Sequence, residues 1–255
     1  MKAAPNLPQR KLLINLQYYE GDKLQACKLA RLIADIEPAR RTDVSFLFSC
    51  RHDCDHDQRT LKYVSTKFDV YTFKNKRIAI GWPYACNELW FGSMTHIANY
   101  AGIIGTYDAI LCLEADDIPL TADWLDTLIK VWNSHRAVIM GHLVPAPGPH
   151  INGNCLVSGS ADTLAKIRRV GSCSPSAGWD YELARKFKAW GWAHTDAIRS
   201  EWNRATVTED YIDKLISEGV VLFHGTKDDS GLSIIQARLG KNKVVPEHPG
   251  NHIIA

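Results

Sequence analysis

Over the first 144 residues the apolar positions alternate between two textures. Short, continuously apolar runs predict strands at Lys11–Gln17, Asp43–Cys50, Asp69–Phe73, Tyr107–Leu113 and Ala137–Val144. Between them, apolar residues three and four apart predict helices over Asp22–Glu37, Gln58–Phe68, Asn87–Gly105 and Ala122–Ser134. The first helix carries Leu24, Cys27, Ala30, Leu32 and Ile33 and must stop at Pro38. Apolar strands alternating with helices mean a mainly parallel sheet covered on both faces. Ligands of such sheets sit beyond the carboxyl ends of the strands. That rule makes candidates of the loops Gln17–Asp22, Cys50–Asp57, Phe73–Asn87 and Glu114–Leu120.

After Val144 the pattern loosens. Pro145–Gly153 is dense in turn residues, and the regular signals left are helices at Ser160–Arg169 and Tyr181–Trp190 and a short strand at Val220–His224. No internal repeat interrupts the chain, so one continuous domain over residues 1–255 is expected, with a less regular second half.

Composition narrows the classes. With 45% hydrophobic and 23% charged residues the chain is ordinary globular protein, not disordered or collagen-like. A net charge of +2 excludes a uniformly basic nucleic-acid binder but leaves room for a local patch. No apolar run is long enough for a membrane-spanning helix. Met1–Arg10 has no apolar signal core, so a cytoplasmic protein with seven reduced cysteines is expected. Cys50, His52, Cys54 and His56 have one parity and superficially suggest zinc, but no second ligand pair follows. A polar loop is the better reading.

The most informative segment is Ile110–Leu120, where an apolar strand runs into Glu114, Asp116 and Asp117. On an extended chain residues 114 and 116 share a side, and paired carboxylates hold a hard divalent cation. Such a cation neutralises a diphosphate leaving group. The plainer alternative is an acidic loop capping the next helix through Thr121 or Asp123.

A strand ending in Glu-x-Asp-Asp-x-Pro before a Trp-bearing helix resembles the DxD region of GT-A-fold glycosyltransferases. The resemblance implies a GT-A-like, Rossmann-like α/β fold, a UDP-sugar donor and Mn²⁺ or Mg²⁺. Glu114 departs from the pattern at its first position, so Asp116 is the surer metal ligand and Glu114 holds metal or ribose. Downstream, His224, Gly225 and Lys227 resemble the H-G-x-K of glycogenin-like retaining enzymes. That implies His224 on the metal, and Gly225 and Lys227 at the diphosphate. A strand-end histidine beside a turn is the plainer alternative.

The same resemblance divides the chain into a donor half, residues 10–144, and an acceptor-side half, residues 145–255. It implies donor contacts from Tyr18 or Tyr19, from Arg51 or Asp53, and from Asn87. Asn87 also suits a helix N-cap, and Trp82 suits packing as well as it suits contact with the donor. Asn152, Asn154 and Trp179 become acceptor contacts, although Asn-Gly is also a hairpin signal. An inverting transfer needs a carboxylate base, for which Asp180, and second Glu182, open a helix in the right half.

GWPxxxN, the acidic strand end, HINGN and the late His-Gly together loosely resemble the glycosyltransferases associated with TET/JBP-type oxygenases. That implies a hydroxymethylated pyrimidine of DNA as acceptor and a phage protein acting in host cytoplasm. Lys62, Lys74, Lys76 and Arg77, beside Tyr71 and Phe73, are the cations expected to meet phosphates. The rivals are a protein or polysaccharide glycosyltransferase and a non-catalytic nucleotide-sugar-binding protein. A nucleotidyltransferase is disfavoured, because Lys11–Asp22 has no Gly-rich basic loop.

Overall fold

A computed structural model of the chain describes residues 10–135, 137–145, 148–204, 206–226 and 228–239. Its strands are β1 (Arg10–Tyr18), β2 (Val44–Cys50), β3 (Asp69–Lys74), β4 (Tyr107–Leu113), β5 (Asp117–Pro119), β6 (Ile139–Val144), β7 (His150–Ser158), β8 (Trp192–His194), β9 (Ile198–Arg204) and β10 (Leu222–Thr226). Its helices are α1 (Lys23–Ile36), α2 (Gln58–Val64), α3 (Tyr84–Asn99), α4 (Ala101–Ile104), α5 (Trp124–Asn133), α6 (Ala161–Val170), α7 (Trp179–Glu182), α8 (Ala184–Trp190), α9 (Glu209–Ser217) and α10 (Ser230–Leu239).

The main sheet has seven strands in the order β3-β2-β1-β4-β7-β6-β8. The first four are parallel, and β7 runs antiparallel to both β4 and β6. A second sheet of three strands has the order β5-β10-β9. Period-two alternation sends Leu12, Ile14 and Leu16 of β1 to one face and Leu13 to the other. The first face is covered by α1, α2, α5, α9 and α10, the second by α3, α6, α7 and α8. On the second face Trp90 and Trp179 stack at 3.8 Å between ring centroids, tying α3 to α7. Burial of each large apolar side chain there is worth roughly 1.5–3 kcal/mol. The polar Asn15 of β1 is tolerated in that layer because it bonds Ser93 and Ser49, at 3.0 and 2.7 Å.

The alternating first half is as expected, with two adjustments. Helix α3 begins at Tyr84, three residues earlier than Asn87, and breaks at Tyr100 before α4. The second half is more regular than its sequence suggests: His150–Ser158 is a strand inside the main sheet, and β9, α9 and α10 follow. Asn and Gly depress strand propensity in HINGN, but pairing on both sides overrides propensity. Residue 144 is therefore no structural boundary, since β7 lies between β4 and β6.

Candidate active site

Three chain segments meet at the carboxyl end of β4. Residues 114–117 form a tight turn, with Asp117 N–H donating to the Glu114 carbonyl at 3.3 Å. Asp117 closes the turn from inside: its fully buried Oδ2 accepts from the Glu114 N–H at 2.7 Å and from the Asn154 side-chain amide. Burial pushes the Asp117 carboxyl up to about 8. Glu114 and Asp116 converge because of this turn, not through strand alternation, which corrects the sequence argument while keeping the pair. Strand β5 then pairs antiparallel with β10, setting Asp117 opposite His224. Strand β9 pairs with β10 on its other side, setting Ser200 opposite His224.

One ligand atom each from Glu114, Asp116 and His224 lies within 4.8 Å of the others, the one such group among the described residues. His224 Nε2 is 3.3 Å from Asp116 Oδ1 and 3.6 Å from Glu114 Oε2. That nitrogen is buried and has no hydrogen-bond partner, while Nδ1 is 2.9 Å from Ser200 Oγ. Burial alone would lower the imidazole pKa, but the Asp116 and Glu114 carboxylates, with Asp117 behind them, hold it well above its ordinary value. Two carboxylates and an orphaned imidazole nitrogen fit a divalent cation. If Nε2 ligates, Nδ1 keeps its proton and donates it to Ser200, the outer support usual for a metal-bound histidine.

The cluster lines a cavity of about 560 Å³. Tyr19, Asp22 and Trp82 form one side, and Asn152, Gly153 and Asp180 another. A second lobe of about 300 Å³ continues from it, sharing Tyr19, Asp22, Trp82, Cys86 and Glu114 and adding Arg51. The Arg51 guanidinium stands over the Tyr19 ring at 4.8 Å, held by a bidentate pair with Asp53. Gly21 permits this arrangement, because a Cβ there would lie 2.4 Å from the Tyr19 ring.

No protein-family model matches the sequence. No match to a curated protein is found. Solved structures do match. The glycosyltransferase GlyE of Streptococcus pneumoniae TIGR4 superposes with a TM-score of 0.51 at 12% identity, covering 87% of this chain and 56% of that one. An active-site mutant of LgtC gives 0.51 at 11%, covering 92% and 98%. A 1–349 segment of Staphylococcus aureus TarS in complex with UDP-GlcNAc gives 0.52 at 10%, covering 88% and 60%. The chain has the GT-A glycosyltransferase fold.

On this GT-A scaffold the residues singled out in the sequence separate by position. Asp180 reaches the cavity from α7, with Oδ2 accepting from Gly153 N–H and Oδ1 from Tyr181 N–H, both at 2.9 Å. Burial raises its pKa, opposed by those amides and by His150, whose Nε2 is 4.0 Å away. Glu182 accepts from Ser174 N–H at 2.7 Å and does not line the cavity. Asn152 and Trp179 line it; Asn154 does too, but its amide is committed to Asp117.

Tyr18 is buried, and its hydroxyl lies 2.7 Å from His56 Nδ1. Both tyrosines line the smaller lobe, Tyr18 buried and Tyr19 44% exposed under the Arg51 guanidinium. Asn87 is neither an N-cap nor a cavity residue. It lies inside α3, fully buried, and donates to the Ser174 and Ala177 carbonyls at 3.2 and 2.8 Å. Gly225 has a structural reason of its own. Its φ is +127°, and a Cβ would lie 1.6 Å from the Glu201 carbonyl, so close packing of β10 on β9 demands glycine. Lys227 lies outside the described residues.

The cysteine–histidine loop forms no metal cluster. Cys50 Sγ is 3.6 Å from His56 Nε2, and burial pushes the Cys50 and Cys54 thiols up to about 11 and 12, away from thiolate. The expected phosphate-binding cations are partly spent: Lys74 pairs with Asp55 and Arg77 with Glu88, each at 2.7 Å. Tyr71 is buried, and Phe73 packs on His96 at 5.0 Å.

Trp82, Asp22 and Cys86 are among the cavity residues that the sequence left without an assigned role. Trp82, 70% exposed, lines both lobes although it reads equally well as packing. Asp22 ends the candidate loop Gln17–Asp22 and opens the first helix, with no role of its own in the sequence. Its Oδ1 accepts from Tyr19 N–H at 2.8 Å, and burial, with Glu114 and Asp116 nearby, raises its carboxyl to about 7. Cys86 sits among Glu114, Asp180 and Asp22, and burial first and those carboxylates next push its thiol well up. Lone acids and cysteines carry no spacing signal, so only the strand-end rule could have found them.

Proposed function

We propose that this chain is a metal-dependent glycosyltransferase that moves the sugar of a UDP-sugar onto a hydroxyl. The observation that carries the reading is the Glu114–Asp116–His224 group, with its orphaned imidazole nitrogen, at the meeting of the two lobes. A divalent cation such as Mn²⁺ or Mg²⁺ would supply charge neutralisation for the departing diphosphate. Glu114, Asp116 and His224 would hold it, with Ser200 fixing the imidazole tautomer. The smaller lobe, with Tyr19, Arg51 and Trp82, has aromatic faces and a cation for a nucleoside.

Asp180 is the base of this reading. Two backbone amides hold its oxygens, so the carboxylate is oriented before the acceptor arrives. Burial raises its proton affinity, which suits removal of a hydroxyl proton as the new glycosidic bond forms. Asn152, Gly153 and Trp179 would line the acceptor side. A hydroxymethylated base of DNA is the finer acceptor reading, and it draws no support from Lys74 and Arg77, which are ion-paired.

The test is a UDP-sugar panel with Mn²⁺ or Mg²⁺, reading UDP release with and without acceptors. Wild type should release UDP only with metal. Asp116→Asn should fall to background while keeping its far-ultraviolet dichroism, because an amide is a poor substitute for a charged ligand. Near-normal metal-dependent release by Asp116→Asn would sink the proposal.

A further inference from the structure

Helices α6 and α8 concentrate positive charge that the active site does not use. Residues 161–192 hold six basic residues against Asp162, Asp180 and Glu182, in a chain whose net charge is only +2. Asp180 faces the cavity, Glu182 is tied to the Ser174 amide, and Asp162 pairs with Lys166 at 2.7 Å. Arg169, Arg185 and Lys186 are exposed and form no ion pair among the described residues. Lys166, Arg169 and Lys186 line one groove of about 460 Å³ with Val170 and Trp190.

Helix stability does not account for this clustering. Arg169 near the end of α6 complements that helix dipole, but Arg185 and Lys186 occupy the first turn of α8, where cations are disfavoured. Bringing Arg169 and Lys186 to one groove adds like-charge repulsion that a bound anion would relieve. A bilayer is a poor occupant: among the described residues of α6 and α8 there is no exposed large apolar side chain to insert. A shallow, open groove with cations along it and a half-buried indole suits a chain of phosphates that also carries flat rings.

We propose that the α6–α8 groove docks a single-stranded segment of nucleic acid. Arg169 and Lys186 meet phosphates, and Trp190, which lines the same groove, packs against a base. Helix α8 follows directly on α7, which carries Asp180, so an occupied groove would deliver the same polymer toward the cavity. The docking claim stands on the groove alone; only this last step rests on the glycosyltransferase reading.

The experiment follows a short fluorescent oligodeoxynucleotide by anisotropy across a salt series, for wild type and the Arg169→Gln/Lys186→Gln variant. Wild type should bind with a steep salt slope. The variant should lose about two units of slope and bind more than tenfold more weakly at low salt. Metal-dependent UDP release should be unchanged, since neither residue lines the cavity. An unchanged slope in the variant, or no binding by wild type at low salt, overturns the proposal. So does equal competition by polyphosphate, which has no bases, or equal capture by anionic phospholipid vesicles. Absence of UDP release with normal oligonucleotide binding would refute the enzyme reading and leave the docking surface standing.

Discussion

Replacing Ser200 with alanine isolates the support of the candidate metal centre from its ligands. Ser200 Oγ is the partner of His224 Nδ1, at 2.9 Å, and both residues are buried at the β9–β10 pairing. Without metal, Asp116 and Glu114 hold the imidazole well above its ordinary pKa, so both nitrogens carry protons and Nε2–H faces the two carboxylates. With metal on Nε2 the proton is confined to Nδ1 and needs an acceptor. Ser200→Ala leaves that N–H buried and unpartnered, a cost of about 1–3 kcal/mol, and removes the contact that holds the ring with Nε2 toward the carboxylates. Loss of that orienting partner should lower metal affinity by about 10–100-fold, the range found for outer-shell partners. Mn²⁺ titration by calorimetry reads the affinity, and UDP release at saturating Mn²⁺ should return close to wild type. Ser200→Thr, which keeps a hydroxyl, should bind metal better than Ser200→Ala. Equal Mn²⁺ affinity in wild type and Ser200→Ala would refute the assignment of Nε2 as ligand, because tautomer control would then have no consequence.

Asp180→Asn should abolish transfer to acceptor while sparing metal-dependent donor binding, checked by product formation against UDP-sugar titration. Gly225→Ala should destabilise by about 3 kcal/mol or more, visible in urea unfolding, since φ is +127° and the new Cβ meets the Glu201 carbonyl. Asp22 has a folded pKa raised to about 7, above that of an unfolded Asp, so the native state holds the extra proton between those values. Metal-free stability should therefore fall as pH rises through that window, and Asp22→Asn should flatten the fall in melting temperature. A melting temperature of the metal-free wild type that rises from pH 5 to 7 by the same amount in both proteins would contradict the burial argument.

The sequence carried the first 144 residues of the fold well because their signals are local. Continuous apolar runs such as YDAILCL admit one environment, a strand buried on both faces, and the helices between them show three-to-four spacing. The same logic located the acidic strand end. It failed where several meanings share one residue type. Asn87 reads as a cap or a ligand, yet its amide ties α3 to the carbonyls of Ser174 and Ala177, partners far along the chain. Gly225 reads as a phosphate contact, yet the Glu201 backbone forbids any side chain there. HINGN reads as a loop, yet β4 and β6 both pair with the strand that contains it.

By itself, then, the chain determined the alternation of strands and helices, the place where carboxylates leave a buried strand, and the residue types available for a cation. Only the tertiary structure decided which of them meet. Glu114 and His224 are far apart in sequence, and what joins them is the pairing of β5 with β10 and of β10 with β9. Those strands are short, and their register rests on partners elsewhere in the chain, so no local periodicity announces it. The tautomer of His224, the inward turn of Asp117 and the pairing of Lys74 with Asp55 follow from the same cause. A side chain's role depends on which neighbours satisfy or orphan its polar atoms, and those neighbours are chosen by packing.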